Sequence, residues 1–192
     1  MTTLDPIPDL LRDALSILES AGAEAALIGG CARNAYADVR PTKDVDFVVA
    51  VDRENYDVLR DAARARGFLR GTAVGAAAGE VPDLELFRDP SGRRIDFLYA
   101  HTEFERSALA RATTRSAYGM EVRVVSLEDL VVYKLLAGRP QDRLDILAML
   151  AALYAGASPI DWAYIEHWCV VWDASAALDR LRAELVPSSP TG

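Results

Sequence analysis

Leu27-Ile28-Gly29-Gly30 and, after a spacer, Lys43-Asp44-Val45-Asp46-Phe47 are the stretches that decide how this chain is read. Residues 24–28, Glu-Ala-Ala-Leu-Ile, form a short apolar run that reads as a buried strand ending on two glycines. Residues 31–38 read as one or two turns of helix, Arg40-Pro41-Thr42 as a break, and residues 44–51 as a second strand. Side chains alternate along a strand, so Asp44 and Asp46 point to one face and Val45 and Phe47 to the other. Two carboxylates roughly 6–7 Å apart on one sheet face repel each other, and a cation between them removes that cost. Hard oxygen donors with open positions suit Mg²⁺ or Mn²⁺, which bridge protein carboxylates and substrate phosphates.

Asp-x-Asp alone is a weak signal, since most such pairs are surface acids on a solvated strand. The preceding element strengthens it. Gly29 and Gly30 allow backbone N–H groups to approach a phosphate closely, and a helix start adds a favourable dipole. Arg33, one turn on, has the fork geometry to join them, and Lys43 adds a cation beside Asp44. A third acid lies downstream. Arg93-Arg94-Ile95-Asp96-Phe97-Leu98-Tyr99 alternates, which places Arg94, Asp96 and Leu98 on one face. An unpaired buried carboxylate on an inner strand is costly. A shared metal, or a salt bridge to Arg94 or Lys43, resolves it, and the two earlier acids favour the metal. Glu85 on the neighbouring strand is the reserve candidate.

Around these motifs the chain reads as α/β: a small mixed β-sheet flanked by helices, with a helical C-terminal half. Helices are expected over 7–20, 53–66 and 103–111, and strands at Phe68–Thr72, Leu84–Arg88, Arg94–Tyr99 and 121–125. Asp89-Pro90-Ser91-Gly92 is a turn signal that makes 84–99 a hairpin, and Gly71–Gly79 reads as a loop. Four helices follow over 127–137, 141–154, 159–171 and 174–185. The division expected is a catalytic α/β core over 1–125, a helical region over 126–186 and a disordered tail over 187–192.

Composition narrows the function classes. The 192 residues are ordinary globular material, 51% hydrophobic and 26% charged. No apolar run approaches the ~20 residues of a membrane span. The first residues lack the pattern of a signal peptide, and two cysteines, Cys31 and Cys169, fit a reducing cytoplasm. A formal net charge of −8 argues against broad nucleic-acid binding, though not against a local basic patch. Lys43 and Lys134 are the only lysines; the other basic residues are arginines, seven of them between 88 and 123. If Arg88, Arg93, Arg94, Arg106, Arg111, Arg115 and Arg123 share a face, an RNA acceptor is favoured. If they are dispersed into ion pairs, a protein or small-molecule acceptor gains. Trp162, Trp168 and Trp172 with Tyr164 and Ile165 read as core in preference to a partner surface.

The segment Leu27-Ile28-Gly29-Gly30 … Arg40-Pro41-Thr42-Lys43-Asp44-Val45-Asp46-Phe47 resembles the signature of the DNA polymerase β-like nucleotidyltransferase superfamily, and Ile95-Asp96-Phe97 resembles its third-carboxylate strand. Ser126-Leu-Glu-Asp-Leu … Lys134-Leu-Leu-Ala-Gly-Arg139-Pro-Gln-Asp142-Arg-Leu-Asp145-Ile is similar to the C-terminal signature of the AbiEii/MenT-like toxin branch. Together they cover about residues 24–150. The resemblance implies the nucleotidyltransferase fold and transfer of a nucleoside monophosphate from an NTP to an acceptor hydroxyl, with release of pyrophosphate. It implies that Gly29 and Gly30 hold the triphosphate, Asp44 and Asp46 the metals, and that Asp96 activates the acceptor. Lys134 would contact the triphosphate, and Asp142 or Asp145 would line the site. Acceptors compatible with the resemblance are a tRNA end, a protein or a small molecule such as an antibiotic, with a cognate antitoxin as a further partner. One departure is Gly30, where several toxins of the branch carry serine, so a hydroxyl contact to phosphate is absent. The residues alone also allow Lys134 to pair with Asp145, and Arg139, Asp142, Arg143 and Asp145 to form a salt-bridge network. A non-catalytic nucleotide- or partner-binding module is the competing class.

Overall fold

The amphipathic run from Ile7 to Ser20 and the strand Glu24–Ile28 begin a chain whose computed structural model describes residues 6–75 and 80–185. The elements, in order, are α1 (Ile7–Ser20), β1 (Glu24–Ile28), α2 (Gly29–Asn34), β2 (Asp44–Ala50), α3 (Arg53–Ala65), β3 (Leu69–Val74), β4 (Leu84–Arg88), β5 (Arg94–Tyr99), α4 (Glu103–Arg111), β6 (Thr113–Ala117), β7 (Met120–Val124), α5 (Leu127–Ala137), α6 (Pro140–Ala155), α7 (Trp162–Val171) and α8 (Ser175–Leu185). They divide into two compact units, residues 1–126 and 127–192.

The first unit is built on a seven-stranded sheet of order β3-β4-β5-β2-β1-β7-β6. It is mixed: β2 runs parallel to β5 and β1 parallel to β7, while the other neighbouring pairs are antiparallel. Val45, Phe47 and Val49 of β2 share a face with Ile95, Phe97 and Tyr99 of β5 and are all buried. Helices α1 and α3 cover this face through Ile7, Leu10, Leu11, Ala14 and Ile17 and through Tyr56, Leu59 and Ala63. Asp44, Asp46, Arg94 and Asp96 stand on the opposite face.

The sequence reading and the structure part in three places. The helix expected over 31–38 is instead Gly29–Asn34. The Asn34 amide donates to the Arg40 carbonyl (2.8 Å) and accepts from the Arg40 N–H (3.1 Å), which holds residues 35–40 as a loop. The expected strand Phe68–Thr72 runs Leu69–Val74, and of the loop expected over Gly71–Gly79 residues 76–79 lie outside the described residues. Strand β6 carries no apolar alternation to announce it, since Thr113–Ser116 are exposed at the sheet edge. Its signal is the turn: Tyr118 and Gly119 both have positive φ (53° and 76°), as a two-residue hairpin loop to β7 requires.

The second unit comprises α5 to α8. Ile165, Trp168 and Cys169 of α7 are buried, whereas Trp172 is 42% exposed, so the tryptophan cluster is only partly core. The tail expected over 187–192 lies outside the described residues. No helix among the described residues is long and apolar enough to cross a membrane.

Candidate active site

Parallel pairing of β2 with β5 sets Asp44 opposite Arg94 and Asp46 opposite Asp96. Adjacent strands lie about 4.8 Å apart and same-face neighbours about 6.6 Å apart along a strand, so the four charged groups form a compact square. Arg94 occupies the corner that makes this arrangement tolerable. Its Nη2 donates to Asp44 Oδ2, and its Nε lies 2.9 Å from Asp96 Oδ1. A salt bridge from Asp96 to Arg94, which the sequence reading ranked below a shared metal, is therefore present, while Lys43 is exposed and makes no ion pair among the described residues.

Asp96 is 9% exposed, the most buried of the three acids. Burial pushes its carboxyl up to about 6; the Arg94 charge opposes the rise and the Asp44 charge adds to it. Its Oδ1 is buried and makes no hydrogen bond of good geometry among the described residues. Such an oxygen, on the sheet face that also carries Asp44 and Asp46, suits a hard divalent cation. Among the described residues no three acidic, histidine or cysteine side chains converge as a ready-made metal set. The donors thus fit Mg²⁺ or Mn²⁺ in kind and in face, with the guanidinium of Arg94 bridging two of them.

The glycine pair is explained by what stands beside it. Gly29 has φ +67°, and a Cβ there would lie 2.1 Å from Asp46 Oδ2. At Gly30 a Cβ would lie 2.6 Å from Thr42 Oγ1. The β1–α2 turn is therefore pressed against the Asp-x-Asp strand. Ile28, the residue before it, pairs with Asp46 in the β1–β2 register. Gly29 thus lies against Asp46, and the β2–β5 register sets Asp44 and Asp96 on the same sheet face.

Other predicted residues lie differently. Arg33 is 6% exposed, and its Nη1 donates to the Asp38 carbonyl and to Asn34 Oδ1 (3.2 Å), closing the α2–β2 loop. Glu85, the reserve acid, pairs with Phe97 in register and so sits on the far face, where it receives the Tyr56 and Tyr99 hydroxyls and pairs with Arg70. In the second unit Lys134 is 4% exposed and donates to Asp142 (3.1 Å) and Asp145 (2.6 Å). Arg139 donates to Asp142 as well, and Gln141 to Asp145. The carboxyl of Asp142 is held below its usual range: burial alone would raise it, but hydrogen bonds from Arg139 and Lys134 and their charges outweigh burial.

The seven arginines between 88 and 123 do not gather into one patch. Arg93 pairs with Asp89 (2.7 Å) and Asp13 (3.3 Å), and Arg123 with Glu24 (2.8 Å). Arg94 is engaged as above, Arg106 donates to the His101 carbonyl, and Arg111 to Ser126 Oγ. Arg115 lies over the Tyr36 ring (4.3 Å). Arg88 is exposed on the Asp44 face, its neighbour in register being Arg94. Sequence reasoning missed Arg94's double engagement and the role of Asn34 in holding the loop. The signal for the first was present in the Arg-x-Asp alternation; for the second there was none.

Comparison with known proteins bears on the family and the fold. The chain is 30% identical over 169 residues to a CCA-adding enzyme of Lactobacillus helveticus (strain DPC 4571), covering 80% of this chain but only 42% of that enzyme's length. Its fold is similar to the antibiotic-resistance factor ANT(2″)-Ia (14% identity, TM-score 0.61, covering 94% of this chain and 100% of the other). It is also similar to an antigenic nucleotidyltransferase-like protein from Paracoccidioides brasiliensis (20% identity, TM-score 0.55, 91% and 92% covered). At these identities the structural likeness speaks to fold alone. The family model described as "Nucleotidyl transferase of unknown function (DUF2204)" matches residues 8–171, and the chain belongs to that nucleotidyl transferase family.

Proposed function

We propose that the protein transfers a nucleoside monophosphate from an NTP to an acceptor hydroxyl, using Asp44, Asp46 and Asp96 as the catalytic carboxylates. The observation that carries this reading is the juxtaposition of the three acids with a glycine turn that cannot accept a Cβ. Mg²⁺ or Mn²⁺, when bound, would neutralise phosphate charge and polarise the α-phosphate for in-line displacement. Asp44 and Asp46 would hold it, and Asp96 would take the acceptor proton, a role helped by a carboxyl raised to about 6. The backbone at Gly29 and Gly30 would receive the triphosphate, and exposed Lys43 would add a mobile cation at its edge. Arg33 would act by holding the loop that carries Lys43 toward the site. Lys134, Asp142 and Asp145, which the resemblance assigns to nucleotide contact, would also fix the α5–α6 corner of the second unit.

For the acceptor, dispersal of the arginines favours a protein hydroxyl or a small polyhydroxy compound over a long RNA. The likeness to a CCA-adding enzyme favours a second reading, the 3′ end of a tRNA. A toxin-type role with a cognate antitoxin rests on the Ser126–Ile146 segment. Induced expression of the wild type, but not of Asp44→Asn, should then arrest growth.

The test is incubation with each labelled NTP, Mg²⁺ or Mn²⁺, and separately with total RNA, cell protein and hydroxyl-rich small molecules. Label should enter one acceptor class and fall at least about 10²-fold in Asp44→Asn/Asp46→Asn, the scale of losing a preorganised charge. Transfer undiminished in that double variant, or no transfer across all acceptor classes, overturns the reading.

A further inference from the structure

We infer that Arg94 is an internal counter-ion of the three-carboxylate site, and that a divalent cation and the Arg94 guanidinium compete for the same carboxylate oxygens. The inference rests on the reading of Asp44, Asp46 and Asp96 as metal ligands and goes beyond it by assigning a residue that sets how tightly metal is held.

Arg94 is two residues before Asp96 on β5 and directly opposite Asp44 on β2. From that position its planar fork reaches both carboxylates at once, through Nη2 to Asp44 and through Nε, 2.9 Å from Asp96 Oδ1. The guanidinium presents donors spaced along a rigid plane that reach both acids at once, whereas a neutral side chain of similar length would leave both acids to the metal. Three acids on one face repel each other when no cation is present, and the bridge offsets part of that repulsion. A divalent ion seated on the same oxygens would stand within a few ångströms of the guanidinium, and two positive charges at that distance repel strongly. Metal entry therefore requires Arg94 to let go of at least one acid. The apparent affinity for metal is lowered by the fraction of time that the bridge is open. Arg94 is a positioning residue in this scheme: it acts on the ligands and forms no bond to substrate.

Arg88 supplies the control. It is exposed, lies next to Arg94 in the β4–β5 register, and its charge is felt at Asp96, yet among the described residues it bridges no carboxylates. The experiment titrates Mn²⁺ into the metal-free full chain without nucleotide and counts free Mn²⁺ by electron paramagnetic resonance. Arg94→Gln should bind Mn²⁺ about tenfold more tightly than wild type, which corresponds to a bridge closed about nine-tenths of the time. Arg94→Met should also tighten binding, and Arg88→Gln should stay within about twofold of wild type. The metal-free melting temperature of Arg94→Gln should fall and its rise on adding Mn²⁺ should exceed that of wild type. Equal tightening in Arg88→Gln and Arg94→Gln would reduce the effect to general field and overturn the inference. So would an Arg94→Met variant that binds like wild type, which also decides the matter should Arg94→Gln not fold. Mn²⁺ binding that persists in Asp44→Asn/Asp46→Asn, or that is absent from wild type, removes the metal site itself and the inference with it. Binding that is lost in that double variant but unchanged in Arg94→Gln removes the inference alone.

Discussion

Gly29 shows how a single residue couples backbone conformation to the site. Its φ of +67° lies where any L side chain is strained, and the space its Cβ would need is filled by the Asp46 carboxylate. Gly29→Ala should therefore displace Asp46, lowering transfer by about 10²-fold or more while costing about 1–2 kcal/mol of stability, measured by parallel turnover and denaturant titration. Asp96 gives a prediction with a sign. Its folded-state carboxyl is raised from 3.8 to about 6, so its stabilising contribution is complete below about pH 3.8 and is lost as pH rises through about 6. Metal-free wild type should thus lose melting temperature relative to Asp96→Asn between about pH 4 and pH 6.5. A constant difference across that range would contradict the burial argument. The acids themselves were legible from alternation along each strand, because a period of two assigns the face. The Arg-x-Asp alternation put Arg94 on the acid face, but the choice between Arg94 and Lys43 as partner is decided only by pairing between strands.

At the scale of elements, the corner between α5 and α6 rests on a buried ion cluster. Lys134 joins Asp142 and Asp145 with all three almost wholly buried. Removing one member strands the others, so Lys134→Met should destabilise the protein by about 3–5 kcal/mol, and a melting temperature within 2 °C of wild type would refute this. Because the Asp142 carboxyl is held below its usual range, its contribution is present above about pH 3.8 and is lost as pH falls through its lowered value. Most helices were readable from apolar spacing; the structure adds the Thr102–Glu105 capping box of α4 and the Asp52 cap of α3, which hold their first turns. Strand β6 was not, because an exposed edge strand has no apolar face to leave a periodic trace. The short α2 was overestimated because the side-chain bonds of Arg33 and Asn34 that close the following loop have no sequence period.

At the scale of the whole molecule, the charge pattern bears on the acceptor. A net charge of −8 is combined with arginines between 88 and 123 most of which are engaged in ion pairs, carbonyl contacts or a ring contact. Transfer to a compact acceptor should change by less than about threefold between 50 and 200 mM salt, whereas a protein with 6–10 phosphate contacts would lose about 10³–10⁵ in affinity over that range. A steep salt slope measured on the acceptor would move the reading to RNA.

The sequence by itself determined the superfamily, the α/β class and the faces of Asp44, Asp46 and Asp96, because periodicity and motif spacing are local properties of the chain. Only the tertiary structure decided that β2 and β5, fifty residues apart by their first residues, lie side by side and in parallel. It also decided that Glu85 falls on the opposite face, that Lys134 is closed in by two acids, and that Arg94 bridges the candidate ligands. Those outcomes depend on strand order and register between distant segments, which are set by burying Val45, Phe47, Ile95 and Phe97 under the helices and leave no local mark in the chain.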